Sequence, residues 1–262
     1  GLSWPHNRTL STLAPPVEAL AHIATPEFAL AFGISFAAAA LQATVGFGFA
    51  LISVPLLLLL NPLFAPVPQL VVVWPLTLAI AWRERHALEP RSTLWIFAGR
   101  LPGALVGVAL LKLLSTAALD VLMSLMVIVG VVLVVATKTF RRTPTREFVA
   151  GVASGTMAMV SAIGGPPIAL LYRNDEGPTV RANLGLVFAI GLTITLSVRT
   201  AAGEVSFDEV MIGLALLPAV YLGLRASRRL IPHVEGARLK NAIVLIAGGS
   251  ALLLLVRGAI SW

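Results

Sequence analysis

The chain has 262 residues, 58% hydrophobic and only 12% charged, with a formal net charge of +7 and no cysteine. An ordinary soluble domain carries about 25% charged residues, so a soluble globular class is excluded, and without cysteine there is no disulfide, thiolate metal site or thiol nucleophile. In so apolar a chain the basic excess sets orientation in a bilayer rather than binding nucleic acid, and no nucleic-acid partner is expected.

Residues 1–26 form an N-terminal arm with Pro5, Pro15, Pro16 and Pro26 and lack the pattern of a signal peptide. The chain starts on Gly1 rather than Met, which points to a trimmed end or residual tag, and Val17 to Ala24 suits a short interfacial helix. From Phe28 to Leu60 there are 33 residues without a charged side chain, about 50 Å as one helix. A bilayer core is about 30 Å thick. Gly46-Phe47-Gly48 near the middle offers a place to break, so Glu27 to Leu60 reads as a broken unit. After the Asn61-Pro62 turn signal a span runs from Leu63 or Pro66 to Trp82, and the polar loop from Arg83 to Arg91 closes it. Ser92 to Leu111 is the next span, interrupted only by Arg100. Residues 112–120 connect it to Val121 to Thr137, the cleanest apolar helix, and residues 138–146 are a basic linker.

The second half repeats the plan. Glu147 to Tyr172 is a broken unit around Ser161-Ala-Ile-Gly164-Gly165-Pro166-Pro167, and spans follow at Ala182 to Val198, Val210 to Leu224 and Asn241 to Val256. Gly46 faces Gly164 at an offset of 118 residues, whereas Leu76-Thr77 through Arg83 faces Leu192-Thr193 through Arg199 at 116, as does Leu101-Pro102 with Leu217-Pro218. The expected fold is an all-α polytopic membrane protein of two repeats, 27–137 and 147–257, in one membrane domain. Each repeat is a re-entrant broken-helix hairpin plus three transmembrane helices.

Charge tests that topology. With the linker cytoplasmic and both broken units re-entrant, fourteen Lys and Arg fall inside, and only Arg8, Lys112, Arg199 and Arg257 fall outside. A second unit that crossed once would divide the same residues nine and nine. The positive-inside rule prefers the hairpins, which makes the repeats inverted and sets both termini outside.

At each break a half-helix begins whose first amides lack intrahelical partners, and its dipole adds partial positive charge. Two such ends meeting at the bilayer midplane make an anion site from backbone. Pro166 or Pro167 suits a first helical position, Gly46, Phe47, Gly48, Gly164 and Gly165 would line the site, and Gln42, Thr44 and Ser161 would add hydrogen bonds. The same glycines also fit plain tight helix packing; two matched breaks favour the site. Replacing Gly164 or Gly165 with a bulky residue is expected to abolish transport in a folded protein.

Arg100 is the one ionisable side chain well inside a span, a functional residue by default or else a packing arginine. Leu216 occupies its place in the second repeat. Arg83 and Arg199 match across the repeats, as an anion funnel or as helix-end anchors. Phe47 or Phe49 would serve as a hydrophobic gate, and Tyr172 as a gate or an interface aromatic. His6, His22, His86 and His233 lie outside the spans without metal-ligand spacing, so no metal or other cofactor is expected. Gly151-Val-Ala-Ser154-Gly155 has the look of an intramembrane serine hydrolase motif, but no histidine lies in a span to act as its base, and no enzyme is expected.

Val-Gly46-Phe-Gly48-Phe-Ala-Leu-Ile-Ser-Val-Pro55 and Ser161-Ala-Ile-Gly-Gly-Pro-Pro-Ile-Ala-Leu-Leu-Tyr172, with Arg181-Ala-Asn183-Leu, resemble the TauE/SafE sulfite exporter family over residues 27 to 257. Phe47 and Phe49 depart from the family's common Gly-Gly-Gly form. The resemblance implies a transporter, in the exporting direction, of sulfur-containing anions such as sulfite, sulfoacetate or related sulfonates, in a prokaryotic plasma or inner membrane. Its thiosulfate-importing relatives carry central cysteines, which this chain lacks. The partners are then a small sulfur-containing anion and the lipid bilayer; a homo-oligomer is compatible with the sequence. The alternatives are an uptake carrier or channel for a carboxylate or other oxyanion, and a non-transporting membrane scaffold.

Overall fold

The computed structural model describes residues 25–89, 93–135, 141–172 and 174–231. Residues 1–24 of the N-terminal arm, Arg91, residues 136–140, Arg173 and the last expected span, Asn241 to Val256, lie outside them. Nine α-helices and no strand occur among the described residues: α1 Pro26–Val45, α2 Phe49–Leu60, α3 Val67–Arg83, α4 Leu94–Leu113, α5 Thr116–Val135, α6 Pro144–Ser161, α7 Gly165–Ala169, α8 Gly177–Ala201 and α9 Phe207–Leu230. Among the described residues six segments are long and apolar enough to cross a membrane: Pro26–Val45, Pro62–Arg83, Leu94–Leu113, Ala117–Val135, Gly177–Ala201 and Phe207–Leu230.

The first unit breaks where glycine permits it. Thr25 caps α1 by accepting from the Phe28 amide at 3.2 Å, and the helix runs until Gly46 turns left-handed at φ 102°. Gly48, at φ 108°, opens α2. A side chain would be strained at either position. The second unit breaks the same way with a different residue, Ala162 at φ 60° ending α6. Ala162 stands 116 residues after Gly46, and Gly165, first in α7, stands 116 after Phe49, first in α2. The breaks therefore keep the 116-residue offset of the spans rather than the 118 that matching glycine to glycine suggests.

In each unit, residues near its two ends are in contact. Asn61 Nδ2, just past α2, donates to Glu27 Oε2 at the start of α1 over 3.0 Å. At the second unit Arg142, before α6, lies 4.6 Å from the centroid of the Tyr172 ring and 3.5 Å from Asp175.

α3 and α8 run antiparallel beside the units, joined by Trp74 Nε1 donating to Thr193 Oγ1 at 2.9 Å and by the Arg181–Glu84 pair at 2.9 Å. α4 and α6 pack backbone to backbone. A Cβ on Gly99 or Gly103 would strike the Phe148 or Val152 carbonyl, and one on Gly151 or Gly155 would strike that of Ile96 or Arg100. This is a small-residue seam, in which close van der Waals approach replaces the hydrophobic drive that lipid does not supply. The outward faces are apolar, Leu101, Leu105 and Val132 among them, while Ser35, Gln69, Thr77, Asn183 and Arg100 are buried.

Several helices outrun the expected boundaries because caps extend them past the apolar stretch. α5 starts at Thr116, inside the expected 112–120 connection, since the Ala118 amide donates to Ser115 Oγ at 3.3 Å. Ser206 and Glu209 form a capping box that starts α9, a Ser-x-x-Glu signature legible in the sequence. α8 starts at Gly177, with Pro178 in its first turn.

Candidate functional site

A cavity lies between the two breaks. Gln42 and Gly48, Ala50 and Leu51 line it from the first unit, and Ala158, Ala162, Ile163, Gly164, Gly165 and Pro166 from the second. Val73 and Thr77 of α3, Phe188 and Leu192 of α8 and Arg100 of α4 complete it. Val73 and Thr77 sit near the middle of the 17-residue α3, and Phe188 and Leu192 near that of the 25-residue α8. The two breaks also meet behind the cavity, where a Cβ on Gly130 of α5 would touch both Leu51 and Pro166.

Arg100 is the only charged residue of the lining among the described residues, and it is 2% exposed. Nη1 donates to Ser154 Oγ at 3.0 Å. That hydroxyl in turn donates to the Gly164 carbonyl, which ties the guanidinium to the second break. Nε is buried without a hydrogen-bond partner among the described residues. The guanidinium lies flat on Gly191 of α8, where an added Cβ would overlap its central carbon. Among the described residues no carboxylate or histidine lines the cavity. A buried charge without a counter-charge is costly, so this geometry suits a small anion.

The start of α2 also borders the cavity, through Gly48, Ala50 and Leu51. Gln42 Oε1 accepts from the Phe49 amide at 3.1 Å, capping α2 by a side chain of the preceding helix. The first helical bond of α2 is Ile52 N to Gly48 O, 3.3 Å, so the amides of Ala50 and Leu51 precede it and have no intrahelical partner. The second break offers less. Gly165, not a proline, is the first residue of α7, and Pro166 and Pro167 follow as its second and third, so those positions carry no amide proton. The amide donors of the site are therefore concentrated at α2.

The other expected site residues lie around the cavity rather than on it. Thr44 Oγ1 and Ser161 Oγ donate to the carbonyls of their own helices, Ala40 at 2.7 Å and Met157 at 2.8 Å. Phe49 and Tyr172 are fully buried, Tyr172 beneath Arg142. Phe47 packs beside Gly165, close to Phe188. Gly46 lies against the Arg181 backbone.

Arg83 and Arg199 occupy matching positions. Arg83 Nη2 donates to the Ala43 carbonyl at the end of α1, and Arg199 Nε to the Met159 carbonyl at the end of α6, 3.0 Å. Donors and acceptors are both 116 residues apart. Each arginine satisfies an orphaned carbonyl and opposes the negative end of a broken helix. Arg181 adds a contact to the Thr44 carbonyl at 3.4 Å.

The residues that sequence reasoning missed are Ser154 as a partner of Arg100, Gly191 as its seat, and Thr77 and Phe188 in the lining. Only the Thr77–Thr193 repeat match gave a hint of them.

The structure separates the two adjacent glycines. A Cβ on Gly164 would come within 2.9 Å of Ala158 Cβ and 3.0 Å of Ser154 Oγ, whereas one on Gly165 would meet Phe47 Cβ at an ordinary 3.6 Å. Gly164→Ala is therefore expected to cost roughly 1–3 kcal/mol by overpacking and to displace Ser154 from Arg100. Gly165→Ala should stay within about 0.5 kcal/mol of the parent. Thermal denaturation of the two variants side by side checks this.

A family model described as "Sulfite exporter TauE/SafE" matches residues 31–254. No curated protein and no solved structure matches the chain.

Proposed function

Because the chain belongs to the TauE/SafE sulfite exporter family, we propose that it exports small sulfur-containing anions, sulfite or related sulfonates, through a midplane site between its two broken units. The observation that carries this reading is Arg100, a buried guanidinium with one hydroxyl partner, on a cavity shared by both breaks. Gln42, Gly48, Gly164 and Gly165 form the walls, and the α2 amides would bind anion oxygens. Phe47 and Phe188, both near Gly165, would gate it.

The contacts support inverted repeats. α1 starts beside Asn61 and ends beside Arg83. Before the start of α6, Arg142 lies 3.7 Å from Glu89, which follows α3. α1 therefore runs toward the end of the molecule from which α6 departs. Ser227, late in α9, bonds Arg83 there at 3.1 Å. That end collects Arg83, Arg85, Arg141, Arg142, Arg146, Arg181, Arg225, Arg228 and Arg229, against Lys112 and Arg199 at the other. The positive-inside rule makes it cytoplasmic, with the start of α1 outside and both hairpins re-entrant. Export then follows the potential, by about 2.3 kcal/mol per negative charge at 100 mV.

A panel of sulfite, sulfate, sulfoacetate, taurine, thiosulfate, acetate and chloride tests the reading by thermal denaturation of the purified protein. A ligand at 100 times its Kd adds about 2.7 kcal/mol to stability. Stabilisation by sulfite or a sulfonate is expected. A shift with acetate alone would move the substrate class to carboxylates, and no shift with any anion would favour a non-transporting scaffold.

A further inference from the structure

We infer that the site selects by charge number: Arg100 makes it a monoanion site that takes hydrogensulfite or a monosulfonate and rejects the sulfite and sulfate dianions. The inference rests on the anion-site reading above and names the charge state of its ligand.

Among the described residues the cavity offers a single formal charge: its lining holds one cation, no carboxylate and no histidine. The charged groups on the helices packed around it are engaged elsewhere. Arg83 and Arg181 bind Glu84 and the end of α1, Arg199 binds the end of α6, and Glu147 lies in the first turn of α6, on the Arg142 side. In the second repeat the place matching Arg100 is Leu216, itself fully buried, so symmetry supplies no second cation. One guanidinium neutralises one negative charge. The desolvation cost of an ion scales with the square of its charge, so a dianion is about four times as costly to bury as a monoanion of the same size. A dianion beside Arg100 would keep a net negative charge among apolar walls formed by Val73, Ile163, Phe188 and Leu192. The donors left for an oxyanion head are Nε of Arg100, unpaired among the described residues, and the amides at the start of α2, which borders the same cavity.

Sulfite makes this testable because it changes from monoanion to dianion near neutral pH, whereas methanesulfonate stays a monoanion and sulfate a dianion. An arginine keeps its charge over the same range. The apparent Kd of each anion is measured on the purified full chain by thermal stabilisation, at mildly acid and mildly alkaline pH. Methanesulfonate should bind equally at both. Sulfite should weaken by about tenfold per pH unit on the alkaline side, as the monoanion fraction falls, and sulfate should bind least. Arg100→Gln, checked for folding by its melting temperature without anion, should lose the preference for methanesulfonate over sulfate. Sulfate binding as tightly as methanesulfonate, or sulfite binding unchanged or tighter at alkaline pH, would overturn the charge rule while leaving the anion site standing. Stabilisation by none of the three at either pH would overturn both.

Discussion

Arg100→Met is expected to abolish anion flux while leaving the protein at least as resistant to heat as the parent. The two effects have one cause. Arg100 is 2% exposed; among the described residues its guanidinium holds one hydrogen bond, to Ser154, and leaves Nε unpaired. Replacing buried ionic groups by apolar side chains of similar volume is often neutral or stabilising by about 1–4 kcal/mol. Ser154 would not be orphaned, because its hydroxyl still donates to the Gly164 carbonyl. An anion entering the cavity would lose its only counter-charge. Truncating one partner of a buried charge pair costs about 2–5 kcal/mol, so flux should fall by a hundredfold or so. Parallel measurements of melting temperature and liposome flux check this. A variant that melts several degrees lower yet still transports would make Arg100 a packing residue.

Gly103→Ala should cost more stability than its one methyl group suggests. Its Cβ would fall on the Val152 backbone, carbonyl included, and no rotamer change can relieve a clash between two helix backbones. Parting α4 from α6 costs about 1–3 kcal/mol by overpacking. It also separates Arg100 from Ser154, which sit on those two helices beside the clash, so anion-dependent stabilisation should weaken as well. Gly33→Ala in α1 is the control: a Cβ there meets nothing within 4 Å, and helix propensity favours alanine by up to about 1 kcal/mol. Heat denaturation should place the two alanines on opposite sides of the parent.

The breaks were legible in the sequence because backbone freedom is written in residue type. Gly46 and Gly48 do take left-handed conformations, and an apolar run longer than the bilayer is thick cannot stay one straight helix. The register of the second break was hidden because alanine, not glycine, holds its left-handed position. Matching glycine to glycine then shifts the alignment by two residues. Arg100 stood out as a charge inside an apolar span, but its surroundings did not. Ser154 and Gly191 come from helices 54 and 91 residues further along the chain, and no periodicity encodes such pairs. Thr44 and Ser161 looked like ligand donors by type, yet a hydroxyl inside a helix finds the carbonyl four residues back first. Arg83 and Arg199 were legible as a matched pair; the broken helix ends that they cap show why each half of the chain carries an arginine there.

The most direct test of the central claim is sulfite efflux from proteoliposomes under an inside-negative potential, for the parent and Arg100→Met at equal protein density. Efflux by the parent, with the variant close to protein-free vesicles, is the predicted result. Equal efflux from both would place the anion path away from Arg100 and contradict the account.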